Sequence, residues 1–288
     1  MKIREFKDCN YRAIFSNGKT FRFAVDPSKP VLPLKFEEFQ DVKLTNFCNG
    51  ACKYCYQDST KKGKHGVNII KRIEDFYGPL TENERPFQVA LGGGEPTTHP
   101  EFIDVLNKFD SLGIMPNYTT NGMFIAGDQF EVTRLMEATK ELCGGVAISC
   151  HEHLQKYWKE AIKKFTEYKI KLNLHIIISD KQSVLDFRKI FDEYEDLVDY
   201  FVLLPYQAMG RAKEKKIDFE SLKKHAPSNV DKIAFGADFY KFLVESPGPY
   251  KVSLYEPEIF SGYVDFSESD GRPKIYKSSF DLTEKQKD

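Results

Sequence analysis

The sequence predicts an α/β fold: a partial (β/α)6 TIM-like barrel with an N-terminal β-hairpin and a small C-terminal α+β cap. Three observations carry this. Short apolar segments recur along the middle of the 288-residue chain, each followed by a loop and an amphipathic stretch, the pattern of parallel strands joined by crossover helices. Six such units fall between residues 39 and 212, and six curl naturally into a partial barrel. Outside them the pattern changes, to a proline-rich connector upstream and a lysine-rich stretch after Arg211.

The elements follow in order. In YRAIFSNGKTFRFAV, residues 11–25, Asn17-Gly18 separates two alternating apolar runs, the signal of a tight turn, so residues 1–38 read as a hairpin plus the connector DPSKPVLPL. The barrel, 39–212, takes strands near residues 42–44, 87–91, 115–119, 146–149, 172–178 and 201–204. Pro100 opens a helix whose apolar face is Phe102, Ile103, Val105, Leu106 and Phe109, and Gly113 ends it. Asp128 caps a second helix closed by Gly144, and Leu154, Trp158, Ile162 and Phe165 form the core stripe of a third. Residues 213–288 carry a short helix near 238–244, a hairpin within 259–280 and a frayed tail.

Composition narrows the function. With 42 basic and 43 acidic residues the net charge is -1, which gives no global field to steer nucleic acid. The N-terminal dozen residues lack the apolar core of a signal peptide, and no apolar stretch approaches the ~20 residues that span a bilayer. The expectation is a cytoplasmic protein without a membrane partner. Of six cysteines, three crowd into eight residues, which suits a metal site in a reducing compartment better than a disulfide framework.

Those three, Cys48, Cys52 and Cys55, form C-x3-C-x2-C directly after the first barrel strand, at the end of the strands where barrels of this kind bind ligands. Thiolates at this spacing can hold three irons of a [4Fe–4S] cube, leaving the fourth iron open to chelate a small molecule. A zinc knot completed by a residue such as His65 is the bland alternative, and an iron–sulfur electron carrier or sensor is another.

The stretch LTNFCNGACKYCYQ resembles the signature of the radical S-adenosylmethionine (SAM) superfamily, in which an aromatic residue, here Tyr54, commonly precedes the third cysteine. The resemblance runs from about residue 41 to 211. It implies one [4Fe–4S] cluster on Cys48, Cys52 and Cys55, with SAM as the second cofactor. In LGGGEP, Gly92, Gly93, Gly94 and Glu95 are similar to the superfamily's GGE motif, which implies contacts to the SAM amino group and makes Glu95 a ligand-facing carboxylate. At the next two strand ends Asn121 and Ser149 are implied near the SAM ribose. Met209, with Pro205, Gly210 and Arg211, resembles a strand end that brackets adenine and the methionyl group.

Three histidines lie close to these strand ends. His151 and His153 are read as solvated or helix-start residues, since nothing supplies the other ligands of a metal. His175 interrupts an apolar strand, so it needs a partner. Alternation puts it on one face with Asn173, aimed into the barrel lumen toward the cofactor. Cys143 and Cys150 are read as packing residues.

The tail YVDFSESDGRPKIYKSSF is similar to a hairpin of SPASM or twitch extensions, with Ser278 where a cluster-binding cysteine is expected, and no cysteine follows Cys150. The resemblance therefore implies a single cluster, an electron donor such as flavodoxin or ferredoxin, and hydrogen abstraction from a substrate, with peptides favoured and nucleotides or small metabolites open. The N-terminal hairpin and the cap are the expected lid over the barrel mouth.

Overall fold

The computed structural model describes residues 2–16, 19–32, 34, 36–127, 129–212, 218–227, 229–236, 239, 243, 249, 261–268 and 271–280. The six expected barrel strands are all present: β4 (Phe39–Thr45), β5 (Gln88–Gly93), β6 (Met115–Thr120), β7 (Val146–Ser149), β8 (Leu172–Ile178) and β9 (Tyr200–Pro205). Each pairs in parallel with the next. Helices α1 (Ile69–Tyr77), α2 (Phe102–Ser111), α3 (Gln129–Leu142), α4 (Gln155–Glu167) and α5 (Lys181–Tyr194) provide the crossovers. None of the described helices is long and apolar enough to cross a membrane.

Side-chain alternation explains how the sheet is buried on both faces. Along β8, Leu172, Leu174, Ile176 and Ile178 are buried against the helical layer, while Asn173 and His175 face the lumen. The helices answer with apolar stripes: Phe102, Val105, Leu106 and Phe109 of α2, and Trp158, Ala161, Ile162 and Phe165 of α4, are all buried. Helix α5 starts at a capping box in which Asp180 accepts from the Ser183 amide. Gly113 ends the α2 turn at φ 73. The expected cap Asp128 and the turn residues 17–18 lie outside the described residues.

Both ends of the chain depart from expectation. The N-terminal region is a three-stranded antiparallel sheet, β1 (Lys2–Phe6), β2 (Tyr11–Ser16) and β3 (Lys19–Ala24), rather than a hairpin alone. It sits beneath the barrel and is no lid over its mouth. Arg22 forks onto Glu38, with the closest pair at 2.7 Å, Tyr11 donates to the same buried carboxylate, and Gln88 donates to Thr20 at 3.1 Å. Glu38 and Gln88 stand at the starts of β4 and β5, the end opposite the cysteine loop. What holds the sheet there is this set of contacts to Glu38 and Gln88.

The C-terminal region lengthens the barrel sheet instead of standing apart from it. After the short α6 (Phe219–Lys224), β10 (Ile233–Phe235) pairs in parallel with β9. At the opposite edge β11 (Ser261–Asp265) pairs in parallel with β4, and β12 (Lys274–Tyr276) completes the expected hairpin with β11. The order is β10-β9-β8-β7-β6-β5-β4-β11-β12, an open barrel with parallel strands added on both sides of the expected six. The helix expected near 238–244 and the tail 281–288 fall largely outside the described residues.

Candidate active site

The loop after β4 holds the cysteines in place with its own backbone. The amides of Asn46 and Cys48 donate to the carbonyls of Lys64 and Thr60 at 2.9 Å each, and the Gly50 amide donates to Cys48 Sγ at 3.4 Å. Burial pushes the Cys52 thiol up to about 12, the neighbouring Cys48 and Cys55 add to the shift, and Arg211 opposes it. Burial also raises Cys48, against the Gly50 amide and with Glu95 and Cys55 adding. Three thiols in mutual electrostatic range, with Cys48 and Cys52 raised by burial, form a donor set suited to iron, which replaces their protons. His65, the residue named for a zinc knot, is held by the protein through one ring nitrogen. Its Nδ1 pairs with Thr45 Oγ1 at 3.0 Å and its ring packs between Phe47 and His99. Among the described residues no three Cys, His, Asp or Glu side chains converge as one metal ion requires.

The three glycines at the end of β5 do different work. A Cβ on Gly94 would overlap the Phe47 carbonyl, and one on Gly93, which has φ 116, would lie 2.5 Å from the Thr45 carbonyl. These two let β5 press against the cysteine loop. Gly92 has open space where its side chain would be, on the lumen face.

Glu95 is buried, and its carboxylate is turned to the protein. Oε1 accepts from the Thr97 amide and hydroxyl at 3.3 and 2.7 Å and from Thr120 Oγ1 at 2.8 Å, while Oε2 accepts the Asn121 amide at 2.7 Å. Burial raises its pKa and these bonds oppose the rise. The side chain thus locks the ends of β5 and β6 together, a role the ligand-facing expectation did not contain. Asn121 likewise reaches the cysteine loop: its amide donates to Asn49 Oδ1 at 2.8 Å and its side chain hydrogen-bonds Cys48.

Ser149 and His175 are neighbours in the β7–β8 ladder, and the Cys150 amide donates to the His175 carbonyl at 3.0 Å. His175 lines the lumen as expected, with its pKa lowered to about 4 by burial. Among the described residues the Ser149 hydroxyl has no hydrogen-bond partner. Tyr54 faces this rim: its hydroxyl pairs with His151 Nδ1 at 3.3 Å, and its ring meets His151 and Tyr206. Met209 is half-buried at the end of the β9 loop, one residue before the turn at Gly210.

Two loop anchors were missed in the sequence. His153, read as a solvated residue, is exposed but bonds the Gly50 carbonyl through Nε2 at 2.8 Å. Arg211 donates to the Cys52 and Ser59 carbonyls at 3.1 and 2.7 Å and to Asp58 at 2.7 Å. Residues so far apart in sequence carry no local signal of meeting. Phe280 packs on the ring of Tyr56 at 4.8 Å, so the end of the C-terminal hairpin covers the cysteine loop.

The family model described as the Radical SAM superfamily matches residues 42–194, more than half the chain. Mycofactocin maturase MftC of Mycobacterium ulcerans is 32% identical over 83 residues, 29% of this chain and 22% of that protein. The chain thus spans about a fifth of the length of this curated relative. A probable GTP 3',8-cyclase of Sulfurisphaera tokodaii is 22% identical over 246 residues, 74% of each chain. Among solved structures, Streptococcus suis SuiB bound to precursor peptide SuiA superposes with a TM-score of 0.63 at 16% identity, covering 85% of this chain and 60% of that one. That likeness is one of fold.

Proposed function

Because the chain belongs to the radical SAM superfamily, we propose that it binds one [4Fe–4S] cluster through Cys48, Cys52 and Cys55 and cleaves SAM beside it. When bound, the cluster and SAM supply an electron and a 5'-deoxyadenosyl radical that abstracts hydrogen from the substrate. The chain's own residues hold and orient. Arg211, His153 and Asn121 fix the cysteine loop, and Gly93 and Gly94 bring it against β5. Gly92 leaves backbone open for the methionyl end, Ser149 offers its hydroxyl to the ribose, and Tyr54, His175 and Met209 border the same space. Glu95 positions the Asn121 amide, and its Oε2 keeps an accepting lone pair for the SAM amino group.

One observation carries this reading: the cysteine loop shares one barrel rim with the open backbone at Gly92 and the Ser149 hydroxyl, which has no partner among the described residues. For the substrate we favour a peptide or protein, on the strength of the named maturase relative and the peptide-bound fold neighbour. The cyclase alignment, longer but weaker in identity, supports the rival, a nucleotide. A cytoplasmic flavodoxin or ferredoxin is the proposed electron donor.

Anaerobic reconstitution is expected to give about four irons per chain with matching sulfide. Reduction with SAM present is expected to release 5'-deoxyadenosine, and Cys52→Ala to abolish both. One zinc without sulfide, or no 5'-deoxyadenosine under a strong reductant, overturns the proposal.

A further inference from the structure

The cysteine loop has an outer face as well as a lumen face. Its segment 46–66 carries four lysines, Lys53, Lys61, Lys62 and Lys64, against one carboxylate, Asp58, which is paired with Arg211 at 2.7 Å. All four lysines are exposed, and among the described residues none of them meets a carboxylate. Lysines on the outer helices are treated differently: Lys71 pairs with Asp75, Lys163 with Glu160 at 3.5 Å and Lys189 with Asp186 at 3.2 Å. A chain of net charge -1 thus gathers unmatched positive charge in one rim segment. Two apolar side chains, Ala51 and Val67, are exposed at the same segment.

The backbone ties these cations to the thiols. The Cys48 amide donates to the Thr60 carbonyl and the Asn46 amide to the Lys64 carbonyl, both at 2.9 Å. Within the turn 61–64 the Gly63 amide returns to the Thr60 carbonyl at 3.0 Å, and the Lys62 amide donates to Thr60 Oγ1 at 3.2 Å. A Cβ on Gly63 would lie 1.9 Å from the Asn46 carbonyl oxygen, so the glycine lets the turn press against the loop. Lys53 follows Cys52 directly. One hydrogen bond therefore separates Cys48 from the basic turn, while the lumen face of the loop is the side of Gly92 and Ser149. An electron from another protein has its short path through the outer face.

We propose that the turn 61–64, together with Lys53, is the docking surface for an acidic one-electron carrier protein. The inference rests on the reading of the loop as a [4Fe–4S] site and gives that site's electron donor a place to bind. One electron leaves the carrier's reduced flavin and enters the cluster, and no atom is transferred. Redox encounters bury less than about 1,200 Å². With so little packing, opposite charge steers and orients the carrier, and salt weakens the attraction.

The test is titration of reduced flavodoxin, an acidic flavin carrier, against the reconstituted holoenzyme at low and at high salt. Lys61→Glu/Lys62→Glu is expected to weaken binding at least tenfold at low salt and to flatten its salt dependence, and Lys61→Gln/Lys62→Gln to fall between this variant and the wild type. The glutamine pair removes charge without adding repulsion, and it decides the matter if the glutamate pair loads less iron. Lys163→Glu/Lys189→Glu makes the same change of net charge on α4 and α5 and is expected to stay within twofold of the wild type. Unchanged affinity in both Lys61/Lys62 variants, an equal loss in the helical control, no saturable binding, indifference to salt, or tighter binding of a single-stranded RNA than of flavodoxin overturns the proposal. Dithionite needs no docking surface, so absence of 5'-deoxyadenosine from the wild type with dithionite would instead overturn the reaction, which the titration does not read.

Discussion

The Arg211 guanidinium donates to the main-chain carbonyl of Cys52 at 3.1 Å, although the two residues stand 159 positions apart. The Arg211 amide also donates to the Cys55 carbonyl at 3.0 Å. The loop after β9 thereby grips the loop after β4, so the first and last expected barrel units are joined at the mouth while the sheet itself stays open.

Arg211→Ala removes two carbonyl hydrogen bonds and an ion pair with the exposed Asp58. The carbonyl bonds dominate, and the loss is expected to be about 2 kcal/mol. Arg211→Lys should recover little of it, because an ammonium cannot span all three acceptors as a guanidinium fork does. Thermal melts of the apo protein read the stability, and iron per chain after reconstitution reads the loop. Wild-type iron retention in Arg211→Ala would remove the anchoring role.

The glycine triplet offers a paired comparison. Gly94→Ala forces a methyl into the Phe47 carbonyl and is expected to cost about 3 kcal/mol, with poor iron incorporation. Gly92→Ala meets open space, so its fold and iron content should match the wild type while SAM affinity falls. Iron analysis and SAM titration of the two variants check both statements, and equal iron loss in the pair would contradict them.

Glu95→Gln keeps the shape of a side chain that accepts four hydrogen bonds, yet places an NH2 against one set of donors. A buried donor facing donors is expected to cost about 1–3 kcal/mol. The denaturant midpoint should fall without a change in its slope. Stability equal to the wild type would mean that the carboxylate does not lock β5 to β6.

Protonation of His175 gives a pH dependence of definite sign. The folded pKa is lowered to about 4 from the ordinary 6.5, so between these values the unfolded chain binds a proton that the folded chain refuses. This contribution is absent above pH 6.5 and grows destabilising as the pH falls, reaching about 2 kcal/mol at pH 5. Urea unfolding of the apo protein at pH 7 and pH 5 is expected to show a smaller drop for His175→Asn than for the wild type, by about that amount. Parallel losses in the two proteins would refute it.

How much of this was legible differs from residue to residue. The period-2 alternation of LNLHIII placed Asn173 and His175 on the lumen face correctly, because a strand's facing is fixed by its own pleat. The spacing of Cys48, Cys52 and Cys55 pointed to one metal-binding loop for a similar reason, since one short segment holds all three. Glu95 was recognised by its motif, but its bonds to Thr120 and Asn121 depend on where the next strand ends.

The sequence by itself determined the six central strands, the helical stripes that cover them and the cysteine loop at a strand end. Only the tertiary structure decided that the N-terminal sheet floors the barrel, that β10 and β11 extend its two edges, and that Arg211 and His153 hold the loop. The division follows from range. Periodicity and spacing are written within a few turns of chain, whereas an edge strand or an anchoring side chain finds its place through burial and hydrogen bonding with residues far along the sequence.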